Sequence, residues 1–275
     1  MHQRPICVPV QSKNADLQRK TSPPATQSSR EIVIFTFMLR EMTDLVMPRT
    51  CLVCGRQLGL QEKHLCLWCA SGLPLTYYWE RLHNPMADEL NALLERSRRG
   101  GVQMSYVPAA ALLFYHHENP YKLIPRALKY GGNIEAGRYF AARLGRFMAA
   151  AEHFADVDLV LPVPLHWTRK WTRGYNQAAV IAKEIAKALG ADMRADILAR
   201  SRRTQTQTSL DADDRLRNVA GVFRVRHLPK GAKHILLVDD TFTTGATLCA
   251  CYNALREAIG PLPRISVATL SVVQD

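Results

Sequence analysis

The residues that most directly suggest chemistry lie in the segment ILLVDDTFTTGAT, residues 235–247. Its apolar start predicts a buried strand, so Asp239 and Asp240 would stand at the carboxyl end of that strand, where open parallel sheets bind ligands. Carboxylates there can accept hydrogen bonds from a vicinal diol such as ribose, or bind magnesium through water. The threonines and glycine that follow lead into a predicted helix, whose amides and positive end suit a phosphate. The candidate residues are Asp239, Asp240, Thr241, Thr243, Thr244, Gly245, Ala246 and Thr247.

A helix cap followed by a turn is the simpler interpretation of this segment. It accounts for one aspartate and one threonine, but not for both acids and the sequence TTGAT together. Gly245 fits a phosphate site, because a residue without a Cβ atom lets the backbone approach a ligand closely. The segment therefore predicts a site for a phosphorylated sugar, with the diol at the acids and the phosphoryl group at the loop.

Four cysteines form two CxxC pairs, Cys51 with Cys54 and Cys66 with Cys69, separated by 11 residues. Two such turns make a closed site with sulfur in all four positions, which zinc prefers and which leaves no position open for catalysis. A redox CxxC pair, a four-cysteine iron–sulfur site and replacement of one cysteine by His64 are the alternatives. The spacing predicts structural zinc.

The bulk composition limits the class of protein. The 275 residues carry a formal net charge of +12, which favours anionic partners such as phosphates or nucleic acid but also aids solubility. The longest apolar run, at 32–39, is too short to span a membrane and lacks the flanks of a signal peptide. An odd number of cysteines, four of them at metal-binding spacing, suits the reducing cytoplasm better than a disulfide scaffold.

The elements that must position these residues alternate between short apolar strands and helices. This alternation predicts an α/β fold with a parallel sheet covered by helices on both faces. Strands are predicted at 109–117, 157–164, 195–200, 234–240 and 264–273, and helices at 136–154, 176–190 and 246–260. The predicted domains are a disordered or non-native extension (1–37), a helix with the four-cysteine zinc module (38–75), a helical connector (76–105) and the α/β domain (106–275).

The segment 235–247 resembles the signature of the type I phosphoribosyltransferases, which bind phosphoribosyl pyrophosphate (PRPP). With the cysteine module and three further motifs, the chain resembles the ComF family of competence-associated proteins over residues 38–275. The three motifs are LKYGG (128–132), PVPLHWTRKWTRGYNQA (162–178) and RTQTQTSLDADDRLRNVAGVF (203–223). The resemblance implies a type I phosphoribosyltransferase-like sheet, PRPP bound with magnesium, and a role in DNA uptake and natural transformation with a cytoplasmic helicase-like partner.

The resemblance also assigns two further loops to PRPP. The first corresponds to a pyrophosphate loop, with candidate contacts at Arg169, Arg173, Gly174, Asn176 and Gln177, although a solvated basic loop is the alternative. The second corresponds to a mobile loop that closes over PRPP and brings cations to the departing pyrophosphate. Its candidates are Arg202, Arg203, Arg215 and Arg217, for which surface ion pairs with nearby aspartates are the alternative.

A basic stripe is predicted from Lys122, Arg126 and Lys129, which lie four and three residues apart and would share one helical face. Tyr130 follows directly and could stack on a base, so the stripe suits single-stranded nucleic acid. A solvated helix face is the alternative.

Three functions follow from these motifs. The first is a PRPP- and magnesium-binding protein of the ComF type that acts as a phosphoribosyltransferase or PRPP sensor; the acceptor stays open, because no general base or nucleobase-reading motif is evident. The second is a platform for single-stranded DNA, or an adaptor for a competence helicase, without turnover. The third is a nucleotide-salvage phosphoribosyltransferase, which would need a base-binding or glutaminase segment that we do not find in the sequence.

Overall fold

The computed structural model describes residues 48–97, 105–130, 132–165, 174–201, 221–227, 231–260 and 263–274. The helices in these ranges are α1 (Leu67–Ser71), α2 (Pro85–Arg96), α3 (Leu123–Tyr130), α4 (Ile134–Ala149), α5 (Gln177–Leu189) and α6 (Ala246–Ile259). The strands are β1 (Ala109–Tyr115), β2 (Leu159–Pro162), β3 (Asp192–Met193), β4 (Leu198–Arg200), β5 (Phe223–Val225), β6 (His234–Phe242) and β7 (Arg264–Val273). The predicted extension 1–37 and the predicted helix before Pro48 lie outside the described residues.

Five of these strands form a parallel sheet in the order β1-β7-β6-β2-β3. The central pair, β6 and β7, runs in register from His234 opposite Arg264 to Phe242 opposite Val272. The central strands are almost continuously apolar because helices cover both faces of the sheet. The predicted α/β fold is therefore confirmed.

Two hydrophobic layers enclose the sheet. On one face, Leu236 and Val238 of β6 pack with Phe140 of α4 and the other buried residues of α4 and α5. On the opposite face, Ile235 and Leu237 pack with the buried residues of α2 and α6. Successive residues of β6 point alternately into the two layers. This alternation determines the face of the sheet to which each residue at the end of the strand points. In the part of the chain that the structure describes, no helix combines the length and apolar character needed to cross a membrane.

Some strands differ from the sequence-based prediction. β6 extends beyond Asp240, because Thr241 and Phe242 remain paired with Ser271 and Val272 of β7. The strand predicted at 195–200 is the shorter β4, which pairs antiparallel with β5 in a separate two-stranded sheet. β3, which pairs with β2 at the edge of the main sheet, was not predicted.

Within its described residues, the connector predicted at 76–105 contains one α-helix, α2, preceded by a 3-10 turn at Tyr78–Glu80. Asn84 begins α2, because its side-chain oxygen accepts a hydrogen bond from the Ala87 amide at 3.0 Å. Its side-chain nitrogen donates to the carbonyl of Ala109 in β1 at 3.0 Å. This buried asparagine therefore fixes α2 against the edge of the sheet.

A buried histidine joins the amino ends of β6 and β7. The side chain of His234 is fully buried, with Nδ1 2.7 Å from Asp156 Oδ1 and Nε2 2.9 Å from Ser266 Oγ. Burial lowers the pKa of His234, and the hydrogen bond to Asp156 opposes this effect only in part. In the neutral ring that burial favours, we assign the proton to Nδ1, which donates to Asp156, while Nε2 accepts from the Ser266 hydroxyl.

We expect His234 to make folding less favourable as the pH falls below about 6.5, the ordinary histidine pKa. Because its folded pKa is lowered, acid protonates the unfolded chain first, and the free energy of unfolding declines from that pH toward the folded pKa. Urea unfolding between pH 5 and 7 should show this decline, and His234→Gln should flatten it. The exposed His83→Gln is the matched control and should leave the slope unchanged; an equally steep slope in His234→Gln would contradict the assignment.

Candidate functional site

The predicted acid pair stands where β6 reaches the carboxyl edge of the sheet. Asp239 and Asp240 are half-buried, and Asp239 Oδ1 accepts a hydrogen bond from the Asp240 amide at 2.8 Å. Burial and the neighbouring charge of Asp240 raise the pKa of Asp239 to about 7, while that amide and Lys129 act in the opposite direction. A carboxyl group whose pKa is raised in this way holds its proton more readily, and in the protonated form it can donate as well as accept a hydrogen bond.

A lysine from another element reaches this pair. Lys129, at the end of α3, places Nζ 2.9 Å from Thr241 Oγ1 and 3.4 Å from Asp240 Oδ1. The side chains of Lys129 and Asp240 are 24% and 19% exposed, so this ion pair is only partly screened by water. Ser271 of β7 also contacts Thr241, because its Oγ lies 3.1 Å from Thr241 Oγ1. Lys129 therefore supplies a positive counter-charge to the acid pair.

The predicted basic stripe is divided between different environments. Lys122 lies in the 3-10 turn before α3 and donates to the His117 carbonyl at 2.6 Å. Arg126 is exposed on α3, whereas Lys129 turns toward the acids. The side chain of Tyr130 lies outside the described residues. Two of the three cations are thus engaged by other groups of the protein.

Gly245 connects the threonine loop to α6. Its φ of +68° is in the left-handed region, and a Cβ atom there would lie 2.8 Å from Cζ of Phe242. Glycine is therefore required by the backbone conformation and by the Phe242 ring. Because glycine has no side chain to cap the helix, the amides of the first turn of α6 remain candidates for binding an anion.

We expect Gly245→Ala to destabilise the protein more than Gly190→Ala. Both glycines adopt nearly the same φ, +68° and +69°, but a Cβ atom at Gly190 would meet nothing within 4 Å. The left-handed conformation should cost about 1–2 kcal/mol at either position, and the Phe242 contact should add about 1–3 kcal/mol at Gly245. Urea unfolding of the two variants measures the difference; equal losses would show that the Phe242 contact carries no cost.

The predicted pyrophosphate loop is described only from residue 174 onward. Gly174 has a φ of +76°, and the hydroxyl of Tyr175 donates to the Leu128 carbonyl of α3. Asn176 caps α5 by accepting from the Ala178 amide and donates to the Val163 carbonyl at 3.0 Å. These bonds already occupy the side chain of Asn176, and Gln177 is 1% exposed, so the backbone here is better placed to meet a ligand than either side chain. Arg169 and Arg173, like the mobile-loop candidates Arg202, Arg203, Arg215 and Arg217, lie outside the described residues.

The four predicted cysteines converge on one point. Their sulfur atoms all lie within 4.8 Å of one another, and the Cys54 and Cys66 sulfurs are 3.7 Å apart. Tetrahedral zinc with Zn–S bonds of about 2.3 Å requires sulfur atoms about 3.8 Å apart. The cluster could therefore hold a metal ion, as predicted, and its thiol donor set suits zinc. His64 is not in this cluster and packs its ring against Tyr139, with 5.2 Å between centroids.

Local backbone geometry favours the thiolate form of Cys51, one of the four cysteines. Burial disfavours the Cys51 thiolate, but hydrogen bonds from the backbone of Cys54, Cys66 and Val53 outweigh that effect and lower the pKa of Cys51 to about 6. Cys66 caps α1, with its sulfur 3.5 Å from the Cys69 amide. The backbone amides of this module therefore favour the thiolate form of Cys51, which is the form that binds metal.

The cysteine cluster is also joined to α3. The hydroxyl of Tyr121, two residues before this helix, donates to the Cys69 carbonyl at 2.9 Å. Ile124 and Leu128 of α3 belong to the same hydrophobic cluster as the buried cysteines. One short helix thus contacts the cysteine module near its start and the acid pair at its end.

The sequence was enough to predict the positions of the acids and of the cysteines. It did not predict that Lys129 and Ser271 would lie beside the acids. Lys129 was assigned to the basic stripe by its spacing, and Ser271 had no signal of its own. Only the register of β6 with β7 and the position of α3 bring these two side chains to Thr241.

Comparison with known proteins gives no functional assignment. Neither a protein-family model nor a protein of curated function matches this chain. Among solved structures, the chain is similar to the crystal structure of TT1426 from Thermus thermophilus, with 19% identity and a TM-score of 0.31. The similarity covers 50% of this chain and 84% of that one. A similarity with so low a TM-score does not support a functional assignment. Any proposed function therefore has to rest on the geometry of the site itself.

Proposed function

We propose that this chain binds PRPP with magnesium at the carboxyl end of β6, as a phosphoribosyltransferase-like protein of the ComF type. The observation that carries the proposal is the continuous arrangement of two acids, a threonine turn and the glycine-capped start of α6 on one central strand. The acids suit a vicinal diol, and the turn and the helix start suit a phosphate. A sugar that carries both a diol and a phosphate matches both parts together.

In this proposal, Asp239 and Asp240 accept hydrogen bonds from the ribose hydroxyls. The 5′-phosphate binds at the loop formed by Thr241, Thr243, Thr244, Gly245, Ala246 and Thr247. The pyrophosphate lies toward the loop after β2, since β2 is the neighbour of β6 and its following segment leaves the sheet at the same edge. Gly174 belongs to that segment, and Arg169, Arg173 and the mobile-loop arginines would supply cations to the leaving group.

Magnesium fits the chemistry of the acid pair. It prefers hard oxygen ligands and retains several waters, and carboxylates at a half-buried edge can bind such a hydrated ion. Lys129 would exchange its contact with Asp240 for one with the ligand or its phosphates when the ion arrives. The reaction would be a pentosyl transfer, in which a nucleophilic atom of the acceptor bonds to the anomeric carbon of the sugar while the bond from that carbon to pyrophosphate breaks and pyrophosphate leaves. A role as a PRPP sensor without turnover uses the same contacts.

The cellular context rests on the ComF resemblance alone. It suggests a cytoplasmic protein that acts in DNA uptake, with single-stranded DNA and a helicase-like protein as partners. The geometry favours PRPP over a DNA-binding platform, because Lys129 faces the acids and Lys122 is engaged by a carbonyl. A salvage enzyme would share the PRPP site but would add a recognised base.

PRPP with magnesium should raise the Tm of the protein. A ligand at 100 times its Kd adds about 2.7 kcal/mol to the free energy of unfolding, or roughly 5–10 °C for a domain of this size. Magnesium should be removed by ion exchange rather than with EDTA, because EDTA would also remove a metal ion bound at the cysteine cluster. Inorganic phosphate and ATP, at matched concentration with magnesium, are the controls. No shift with PRPP, or an equal shift with inorganic phosphate, would reject the proposal.

A further inference from the structure

We propose that Cys54 is an oxidation site through which a peroxide releases the metal ion of the cysteine cluster, with Cys66 as the second thiolate that completes a disulfide. The inference concerns the cysteine module and does not rest on the binding of PRPP. It requires zinc at the cluster, which the four-thiol donor set and the spacing of the sulfur atoms suit.

Cys54 differs from the other three cysteines of the cluster in its exposure. Cys51, Cys66 and Cys69 are 3%, 3% and 5% exposed, whereas Cys54 and the three residues that follow it are exposed. A Cβ atom at Gly55 would meet nothing within 4 Å, so this side of the turn is open to a small molecule. Oxidation of cysteine increases with thiolate character and exposure, and a metal-bound cysteine is a thiolate. Cys54 is therefore the sulfur of the cluster that a dissolved oxidant meets.

Cys66 lies in the right place to complete a disulfide. Its sulfur is 3.7 Å from the sulfur of Cys54, and a disulfide requires the two atoms to approach to about 2.0 Å. Residues 54–57 are exposed, so a movement of this turn does not have to displace core side chains. Cys66 itself is buried, and it therefore reacts with the oxidised Cys54 rather than with the peroxide. An accessible thiolate beside a resolving cysteine is the usual arrangement of a redox-sensing site.

The reaction takes place in two steps and uses one molecule of hydrogen peroxide. In the first step, the Cys54 sulfur bonds to a peroxide oxygen, the O–O bond breaks and hydroxide leaves. Cys54 is thereby oxidised by two electrons to a sulfenic acid, and the peroxide is reduced. In the second step, the Cys66 thiolate bonds to the Cys54 sulfur, the S–O bond breaks and a second hydroxide leaves. Both hydroxides take protons from the solvent, and the two remaining thiolates are too few for a closed metal site.

The disulfide in this proposal joins the two CxxC pairs and closes neither of them. A redox CxxC pair would instead form its disulfide within one turn, between Cys51 and Cys54 or between Cys66 and Cys69. The position of the disulfide in the oxidised protein therefore distinguishes a metal site that responds to peroxide from a dithiol redox centre.

Oxidation would also change the packing beneath the cluster. Cys66 caps α1 and belongs to the same hydrophobic core as Leu58, Leu65 and Ile124. A disulfide with Cys54 draws its sulfur toward the exposed turn and away from the Cys69 amide, and the metal no longer joins the two turns. We therefore expect peroxide to lower the Tm of the zinc-loaded protein, and a thiol reductant with zinc to restore it.

Peroxide treatment of the zinc-loaded full-length protein tests the site. A chromogenic chelator measures the released zinc, and peptide mass mapping after alkylation of free thiols in denaturant locates the disulfide. We expect zinc to be released in step with a disulfide between Cys54 and Cys66, and dithiothreitol with zinc to reverse both changes. Cys249 and Cys251 are internal controls that should stay reduced, because both are fully buried and burial raises the pKa of their thiols.

Two matched variants separate the role of Cys54 from a general sensitivity of the cluster. Cys54→His keeps a side chain that can bind zinc but removes the exposed sulfur, so peroxide should no longer release the metal. Cys69→His makes the same change at a buried ligand and leaves Cys54 and Cys66 in place, so release should persist.

The peptide map of the unmodified protein decides the proposal even if a variant fails to hold zinc. A disulfide from Cys54 to any cysteine other than Cys66, or zinc retained while this disulfide forms, would overturn the inference. Equal release of zinc from Cys54→His and from the unmodified protein would overturn it as well, and so would a full-length protein that binds no zinc.

Discussion

Cys66→Ser should release the metal of the cysteine cluster and strongly lower the Tm of the protein. Cys66 is one of four converging sulfurs, is 3% exposed and also caps α1, so its loss removes a ligand and a structural contact together. A substitution that releases a structural metal is one of the few single changes that can lower the free energy of unfolding by more than about 4 kcal/mol. The buried cysteines of this cluster lie in the same hydrophobic core as α4 and α5, so unfolding of the module should reach the sheet domain.

Metal content by mass spectrometry and thermal unfolding measure this result. Cys249→Ser is the matched control: it is the same change at a buried cysteine, but Cys249 is a residue of α6 outside the cluster. The hydroxyl of Ser97, 3.2 Å from the Cys249 sulfur, can bond to the new serine, so metal content should be preserved and the loss of stability small. Zinc retained at full occupancy with an unchanged Tm in Cys66→Ser would refute the site, and iron with a visible absorption band would identify the iron–sulfur alternative.

Asp240→Asn should weaken PRPP binding by about 10- to 100-fold, the effect of losing a charged hydrogen bond worth about 1.5–3 kcal/mol. Asparagine has the same shape as aspartate but removes the negative charge that would face the magnesium and the ribose. The fold should tolerate the change, because loss of the ion pair with Lys129 is offset by relief of repulsion with Asp239. The Tm should therefore move by no more than about 2 °C, less than about 1 kcal/mol in a domain of this size.

Isothermal titration with PRPP and magnesium measures the affinity of each variant. Asp156→Asn is the control, because it makes the same change at the amino edge of the sheet, where Asp156 pairs with His234. That variant should lose some stability and keep its PRPP affinity. An Asp240→Asn protein with undiminished affinity would remove the acids from the proposed ligand site.

Local patterns in the sequence were enough to predict several parts of this structure. The cysteine cluster follows from the spacing of the two CxxC pairs, because each pair closes within one turn of backbone. The apolar run at 235–238 identifies β6 because a strand buried on both faces must be apolar throughout. The positions of the acids at its carboxyl edge follow from that strand.

Other features depend on contacts between distant segments. β4 pairs with β5 rather than joining the main sheet, and no local pattern in 195–200 encodes that partner. Lys129 shares a spacing with Lys122 and Arg126, but the packing of α3 beside β6 decides that it meets Asp240. The sequence analysis explained Gly245 by the close approach of the backbone to a ligand. In the folded chain, the positive φ of this residue and the nearby Phe242 ring already require a glycine.

The position of α3 has a thermodynamic consequence for the whole protein. Tyr121 holds the region before this helix to the Cys69 carbonyl, and Lys129 at its other end touches Asp240. If extraction of the metal lowers the affinity for PRPP through this helix, linkage requires that PRPP raise the affinity for the metal by the same factor. Saturation with the sugar phosphate should then protect the thiolates against chelators and oxidants, so that the redox state of the surroundings and the supply of activated ribose act on one equilibrium.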